Sequence, residues 1–287
     1  MMKLILFLML LLPSMVNAQK TDKKLQRQLE TLVQGFDGDM GIYIKSLKTQ
    51  KTVSINADTV FPTASIVKVP ILIEIMHKIN AGELSYHQSL EYNDSVKYSG
   101  DEATLASMKN KTKLELAEVI MLMLTMSDNT ASLWLQALAG TGTQINKRMD
   151  ALGFINTKVN SKTVGREQSR SRYGWGQSTP KEMATIFEQL YLGKIIDDSA
   201  SNKMLRVLGR NYWDEEAISQ IPATTFIASK SGAVDASRSE ILLVMAKEPY
   251  ILSIFTKNNK DKSWDSQNAA WVLTKKLSKI VFEHFDD

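Results

Sequence analysis

Ser65 and Lys68 stand three residues apart in "FPTASIVKVPIL", residues 61–72, and Lys68 is the one polar side chain between Ile66 and Leu72. An ammonium group set without a partner in apolar surroundings costs free energy, so its presence there needs a reason. One reason is chemical. A serine hydroxyl attacks a carbonyl well only with a base beside it, and a desolvated lysine can be neutral and take that proton. Residues three apart on a helix share a face, and Pro62 and Thr63 set Ser65 near a helix start, where free backbone N–H groups stabilise an oxyanion. The plain alternative is a lysine that snorkels to the surface. The same spacing recurs at Ser178 and Lys181, across Pro180, where a capping role suffices.

Two other stretches carry similar residue types. "MSDNTAS" sets Ser127, Asp128 and Asn129 between two helical segments, and "IASKSGAV" sets Lys230, Ser231 and Gly232 at the end of a strand-like run. Alone, the first reads as a helix cap and the second as a turn.

The elements that must position these residues follow from periodicity. Leu25, Leu29, Leu32, Val33 and Phe36 predict an amphipathic helix over residues 22–36. "GIYIKSLKTQKTVSIN" alternates about a polar turn and predicts a hairpin. Residues 61–78 read as a helix hydrophobic on every face, hence central. Residues 112–124 read as a helix opened by a Thr112/Glu115 capping box. "ASLWLQALAG" and "INKRMDALGF" add two helical segments, and Thr179-Pro180 starts another that runs to about Tyr191. Strand-like runs return at "TFIASK", "EILLVMA" and "YILSIFT", before an amphipathic helix over roughly 267–284. This order predicts one sheet built from both chain ends, a helical middle as a second lobe, and a ligand crevice between them.

Composition narrows the class. "MMKLILFLMLLLPSMVNAQ" carries Lys3, an apolar run from Leu4 to Leu12, and small residues at Val16 and Ala18. That is the pattern of a secretory signal peptide, residues 1–18, and the run is too short to span a bilayer. Export is therefore expected, with no stable membrane anchor after cleavage. Residues 19–287 suffice for one domain of two intimate subdomains. The chain has no cysteine, which excludes disulfides, thiolate catalysis and zinc–thiolate sites. A net charge of +4 is spread along the chain, and runs such as "KNNKDK" are interrupted, which argues against nucleic acid. His77, His87 and His284 share no metal-ligand spacing, and no G-x-S-x-G elbow occurs. No metal or other cofactor is implied.

Taken in order, Ser-x-x-Lys, Ser-Asp-Asn and Lys-Ser-Gly make the chain resemble the class A β-lactamase and penicillin-binding serine hydrolase superfamily. The likeness covers nearly all the mature chain and extends to "SIVKVPIL", "LELAEVIMLMLTMSDNTAS" and "STPKEMATIFEQL". It implies a mixed α/β (α+β) fold. An antiparallel sheet subdomain with flanking helices comes from both chain ends, about 19–58 and 205–287, and an all-helical subdomain, about 59–204, is inserted. It also implies a periplasmic or secreted bacterial monomer acting on a small-molecule β-lactam or D-alanyl peptide. By position, Ser65 is the implied nucleophile and Lys68 its base or activator. Ser127 relays a proton to the leaving nitrogen, and Asn129 holds the substrate's side-chain amide and helps orient Lys68. Lys230 and Ser231, with Gly232 completing their motif, bind the substrate carboxylate, and Lys230 helps depress the pKa of Lys68. The backbone N–H groups of Ser65 and Ala233 form the implied oxyanion hole.

Two departures bear on activity. Class A enzymes hydrolyse the acyl-enzyme with a loop glutamate. In "VNSKTVGREQSRSRYGWGQSTP", that position falls on Thr163, and the position of its asparagine partner falls on Glu167. Either Glu167 reaches the hydrolytic water, or it is solvated or paired with Arg166, Arg170 or Arg172, and deacylation is slow as in a penicillin-binding protein. A D-alanyl-D-alanine carboxypeptidase or esterase, or a penicillin sensor acylated once, are the other readings. After the lysine motif, "AVDASRSE" brings Arg238, which either adds a cation for the substrate carboxylate or pairs with Asp235 or Glu240.

Overall fold

The structure, a computed structural model, describes residues 20–99 and 104–286. The expected signal peptide lies outside the described residues. The chain opens with α1 (Lys23–Val33) and the hairpin β1 (Asp39–Ser46) and β2 (Thr52–Ile55). It continues through β3 (Phe61–Pro62), a 3₁₀ turn (Ala64–Val67) and α2 (Lys68–Asn80). The middle holds β4 (Ser89–Glu91), β5 (Lys113–Glu115), α3 (Leu116–Leu124), α4 (Asn129–Leu138) and α5 (Thr141–Ala151). There follow β6 (Lys158–Val159), α6 (Glu167–Tyr173), β7 (Gly176–Ser178), α7 (Pro180–Tyr191) and α8 (Asp198–Leu208). The chain closes with β8 (Ile227–Val234), β9 (Ser237–Val244), β10 (Tyr250–Lys257) and α9 (Ala269–Asp286).

The main sheet is antiparallel in the order β2-β1-β10-β9-β8, so the two N-terminal strands and the three C-terminal strands join at the β1–β10 pair. Its central strands are covered on both faces, which explains why "EILLV" and "YILSIF" are continuous apolar runs and not alternating ones. Ile241, Leu243, Ile251 and Phe255 join the core of the helical middle. Leu242, Val244, Leu252 and Ile254 pack with Leu25 and Leu29 of α1 and Leu277 and Val281 of α9. Each such side chain contributes about 1.5–3 kcal/mol by leaving water, and this double core holds the chain without cross-links.

α2 is buried from Lys68 through Met76, as an all-round apolar helix should be. It starts later than periodicity suggests. Phe61 and Pro62 pair with Ser178 and Gln177 instead, and Ala64 adopts a left-handed φ of 43° that interrupts any helix. The α3 cap also differs from expectation. The capping box is Glu115 with Glu118, three residues on from Thr112 and Glu115, because residues 113–115 are extended as β5 against β4. Both pairs satisfy the capping-box spacing, and the small ladder decides between them.

Candidate active site

The 3₁₀ turn presents Ser65 half-buried, and Lys68 follows as the first residue of α2, fully buried. Its amine is surrounded by oxygen atoms. Lys68 Nζ lies 3.0 Å from Ser65 Oγ, 3.0 Å from Ser127 Oγ and 3.0 Å from Asn129 Oδ1, and it donates to the Ser127 carbonyl. Two of these partners, the Ser127 carbonyl and Asn129 Oδ1, can only accept. With two N–H bonds directed at them, the rest of the amine faces the hydroxyls of Ser65 and Ser127. The opening puzzle is resolved in structural terms: the lysine does not snorkel outward.

Local backbone geometry brings these groups together. Ser127 sits between α3 and α4 with a left-handed φ of 57°, and Ala64 is left-handed next to Ser65. Such conformations cost on the order of 1–3 kcal/mol each and persist where surrounding structure enforces them. Asp128 supplies part of that enforcement. It is buried, accepts from Ala131 N at 2.8 Å as the cap of α4, and accepts from Leu105 N at 2.8 Å.

The remaining wall is the edge strand β8, which pairs with β9 on one side. A Cβ on Gly232 would lie 2.4 Å from the Thr63 carbonyl and 2.9 Å from Ser65 N. Only glycine permits this approach. The next residue, Ala233, lines the same cavity as Ser65. Lys230, also in β8, is fully buried, and its amine donates to the Ser231 carbonyl at 2.9 Å. Burial lowers its pKa to about 8, against an opposing pull from Glu240. Glu240 lies cross-strand from Ser231. Burial pushes its carboxyl up to about 8, although Ala217 N donates to it at 3.1 Å.

A cavity of about 460 Å³ opens over Ser65, Asn129 and Ala233. Its far wall is aromatic, with Tyr98 edge-on to Trp175 at 5.0 Å and Tyr173 beside them. Arg172 and Lys257 add two cations, and among the described residues no acidic side chain lines it. Tyr98, Arg172, Trp175 and Lys257 escape a sequence reading, since they come from three separate segments. The one available hint is the "WG" just before the Thr179-Pro180 helix start.

Ser65, Lys68, Ser127 and Asn129 are thus brought together, and Ala233 faces Ser65 across the cavity mouth. Glu167 is elsewhere. It is exposed at the start of α6 and turns back to accept from Gly165 N at 3.1 Å. Thr163 is buried, donates to the Ser161 carbonyl at 2.9 Å, and presses on Gly142 of α5. Arg238 requires a correction: it is not placed to bind substrate. Its guanidinium packs against both Trp264 and Trp271, with ring centroids at 4.4 and 4.6 Å, and it donates to the carbonyls of Val234, Ser237 and Ser263. Nor does it take either expected carboxylate. Asp235 accepts from Trp264 Nε1, and Glu240 accepts from Ala217 N. The second serine–lysine pair is structural. Buried Ser178 shares a hydrogen bond with Thr157, while Lys181 faces Asp58 at 3.1 Å on the surface.

A model of the β-lactamase enzyme family matches residues 24–285. The chain is 20% identical to β-lactamase VEB-1 of Pseudomonas aeruginosa over 297 residues, covering 99% of this chain and 97% of that one. Among solved structures it is similar to PBP-A, with a TM-score of 0.82 and 21% identity over 93% of this chain and 98% of that one. A mutant of PBP-A, an acyl-enzyme complex with penicillin G, superposes with a TM-score of 0.81 and 22% identity at the same coverage. Fold, motif geometry and family match agree: the chain belongs to the β-lactamase enzyme family, within the class A β-lactamase and penicillin-binding superfamily, and is a serine β-lactamase-type hydrolase.

Proposed function

We propose that this protein is an exported enzyme that opens β-lactam rings through an acyl-enzyme on Ser65 and releases the acyl group slowly. The observation that carries the reading is Lys68 Nζ at 3.0 Å from both Ser65 Oγ and Ser127 Oγ. In the acylation step, Lys68 takes the Ser65 hydroxyl proton as Oγ bonds to the lactam carbonyl carbon. The negative charge on the carbonyl oxygen is met by the backbone N–H groups of Ser65 and Ala233. When the C–N bond breaks, Ser127 gives its proton to the departing nitrogen and regains one from Lys68, so the protons balance. Charged Lys230, with Ser231, holds the substrate carboxylate. Asn129 orients Lys68 and the substrate amide.

Slow release is supported by what the cavity lacks among the described residues: an acidic side chain to activate water. Glu167 is solvated and spent on a local backbone contact. The same observation favours, as a second reading, a penicillin-binding protein, D-alanyl-D-alanine carboxypeptidase or sensor with the same nucleophile. Export is supported by the pattern of residues 1–18, and no helix among the described residues is long and apolar enough to cross a membrane.

Intact-mass analysis of the mature protein mixed with excess penicillin G, with hydrolysis followed in parallel, tests this. A stoichiometric adduct on Ser65 that decays over minutes to hours is expected. Rapid hydrolysis with little standing adduct would reject slow release, and no adduct with no hydrolysis would reject β-lactams as substrates.

A further inference from the structure

Among the described residues Arg238 is the largest fully buried side chain, yet it is a cation whose contacts lie away from the catalytic groups. Its partners show what it holds. The two-residue turn joining β8 to β9 is Asp235-Ala236, closed by the Val234–Ser237 pair. Val234, Ala236 and Ser237 all line the cavity over Ser65, so this turn is the cavity's lip. Arg238 Nη1 donates to the carbonyls at both ends of the lip, Val234 and Ser237. Nη2 donates at 2.8 Å to Ser263, in the loop between β10 and α9. That loop reaches back twice: Asn259 N donates to the Ala236 carbonyl at 3.1 Å, and Trp264 Nε1 to Asp235 at 3.3 Å. The loop is itself stiff, since Asp261 accepts from Ser263 N, Ser263 Oγ and Ala269 N.

The guanidinium is the rivet. It sits in the corner made by the edge-to-face rings of Trp264 and Trp271, 4.4 and 4.6 Å from their centroids, and its planar fork reaches three carbonyls from there. Arg238 is also the cross-strand partner of Ala233, whose N–H the reading above assigns to the oxyanion. Trp264 is 60% exposed; hydrophobic burial alone does not account for an indole in that position, whereas its contact with the Arg238 guanidinium does.

We propose that Arg238, Trp264 and Trp271 form a positioning unit that sets the height of the Val234–Ser237 lip and thereby limits the size of acyl side chain the cavity admits. The unit acts through the lip and does not touch substrate. The effect on substrates rests on the β-lactam reading above. The effect on the lip does not.

Trp264→Ala is the decisive variant, because the side chain is mostly exposed, and Arg238→Lys is its companion, keeping charge but losing the fork. Two readouts separate positioning from mere stability. Amide hydrogen exchange at Arg238 and Asn259, whose N–H groups donate to Thr256 Oγ1 and to the Ala236 carbonyl of the lip, should quicken by about tenfold in Trp264→Ala, while exchange in β1 and the rest of β10 stays as in the wild type. Acylation by a cephalosporin with a bulky oxyimino side chain, relative to penicillin G, should rise at least about threefold through KM, with the maximal acylation rate of penicillin G little changed. Unchanged lip exchange in a folded Trp264→Ala protein overturns the proposal. So does faster lip exchange with an unaltered preference between the two β-lactams. If Arg238→Lys does not fold, Trp264→Ala decides alone. If the wild type is acylated by neither compound, the functional reading fails, and the exchange measurement still judges the unit.

Discussion

Gly232 and Ser65 are packed backbone to backbone, so tightly that a Cβ on Gly232 would stand 2.9 Å from the Ser65 nitrogen. This contact places the edge of a sheet strand against the turn that carries the nucleophile. Gly232→Ala must push β8 away from the turn and separate the N–H groups of Ser65 and Ala233. Acylation by penicillin G should fall by on the order of 100-fold, the scale of losing one oxyanion donor. Stopped-flow acylation together with circular dichroism checks this; a folded variant acylated at the wild-type rate would show that Ala233 N–H is not used.

Lys68→Met should separate function from stability. The methionine fills a fully buried slot with similar volume and no charge to desolvate, so thermal stability should stay level or rise. Acylation should drop at least about 100-fold, as expected for a lost general base. Retained labelling on Ser65, read by intact mass, would assign proton removal to another group.

The Lys230–Glu240 pair predicts a pH signature. Lys230 has a folded pKa lowered to about 8, so substrate carboxylate binding should weaken as pH rises through 8. Glu240 pulls the Lys230 pKa upward, and Glu240→Gln removes that pull, which should shift the alkaline limb of kcat/KM to lower pH. Stability carries an independent sign. The Glu240 pKa is raised from 4.5 to about 8, so between these values the native state holds a proton that the unfolded chain has lost, and the wild type loses stability as pH rises. The advantage of Glu240→Gln over the wild type should therefore grow from pH 4.5 to 8 in denaturant titrations. A flat difference would mean that Glu240 is ionised throughout.

Glu167→Gln should leave turnover within about twofold, since the carboxylate is exposed and its contact is with Gly165 N. Time-resolved intact mass on the variant is the check. Accumulation of acyl-enzyme beyond the wild-type level would place Glu167 at the hydrolytic water after all.

What could be read directly from the residues, and what could not, has a physical cause. Lys68 stood out because one charge interrupts a run of apolar neighbours, and its contacts with Ser65, Ser127 and Asn129 explain the cost. The two-ended sheet was legible because β9 and β10 are short continuous apolar runs set off by turns. The start of α2 was not, because hydrophobicity continues smoothly through Phe61–Val67 while the backbone changes from strand to 3₁₀ turn. Arg238 was misassigned because its role depends on Trp264 and Trp271, in a loop and helix that local pattern does not connect to it. The aromatic and cationic cavity wall stayed hidden for the same reason, as Tyr98 and Trp175 lie in distant stretches of the helical middle that meet only on folding.

The sheet's topology has a consequence for how the protein comes into being. β1 lies beside β10, and Ser46 bonds Glu248 across a separation of 202 residues. Such long-range pairing is slow to form. A nascent chain that already contains Ser65, Lys68 and Ser127 still lacks β8, and with it Lys230 and Ala233, one of the two proposed oxyanion donors. The turn carrying Ser65 and the cavity over it therefore form together only once β8 to β10 have been made, and a fragment truncated before β10 should not be acylated.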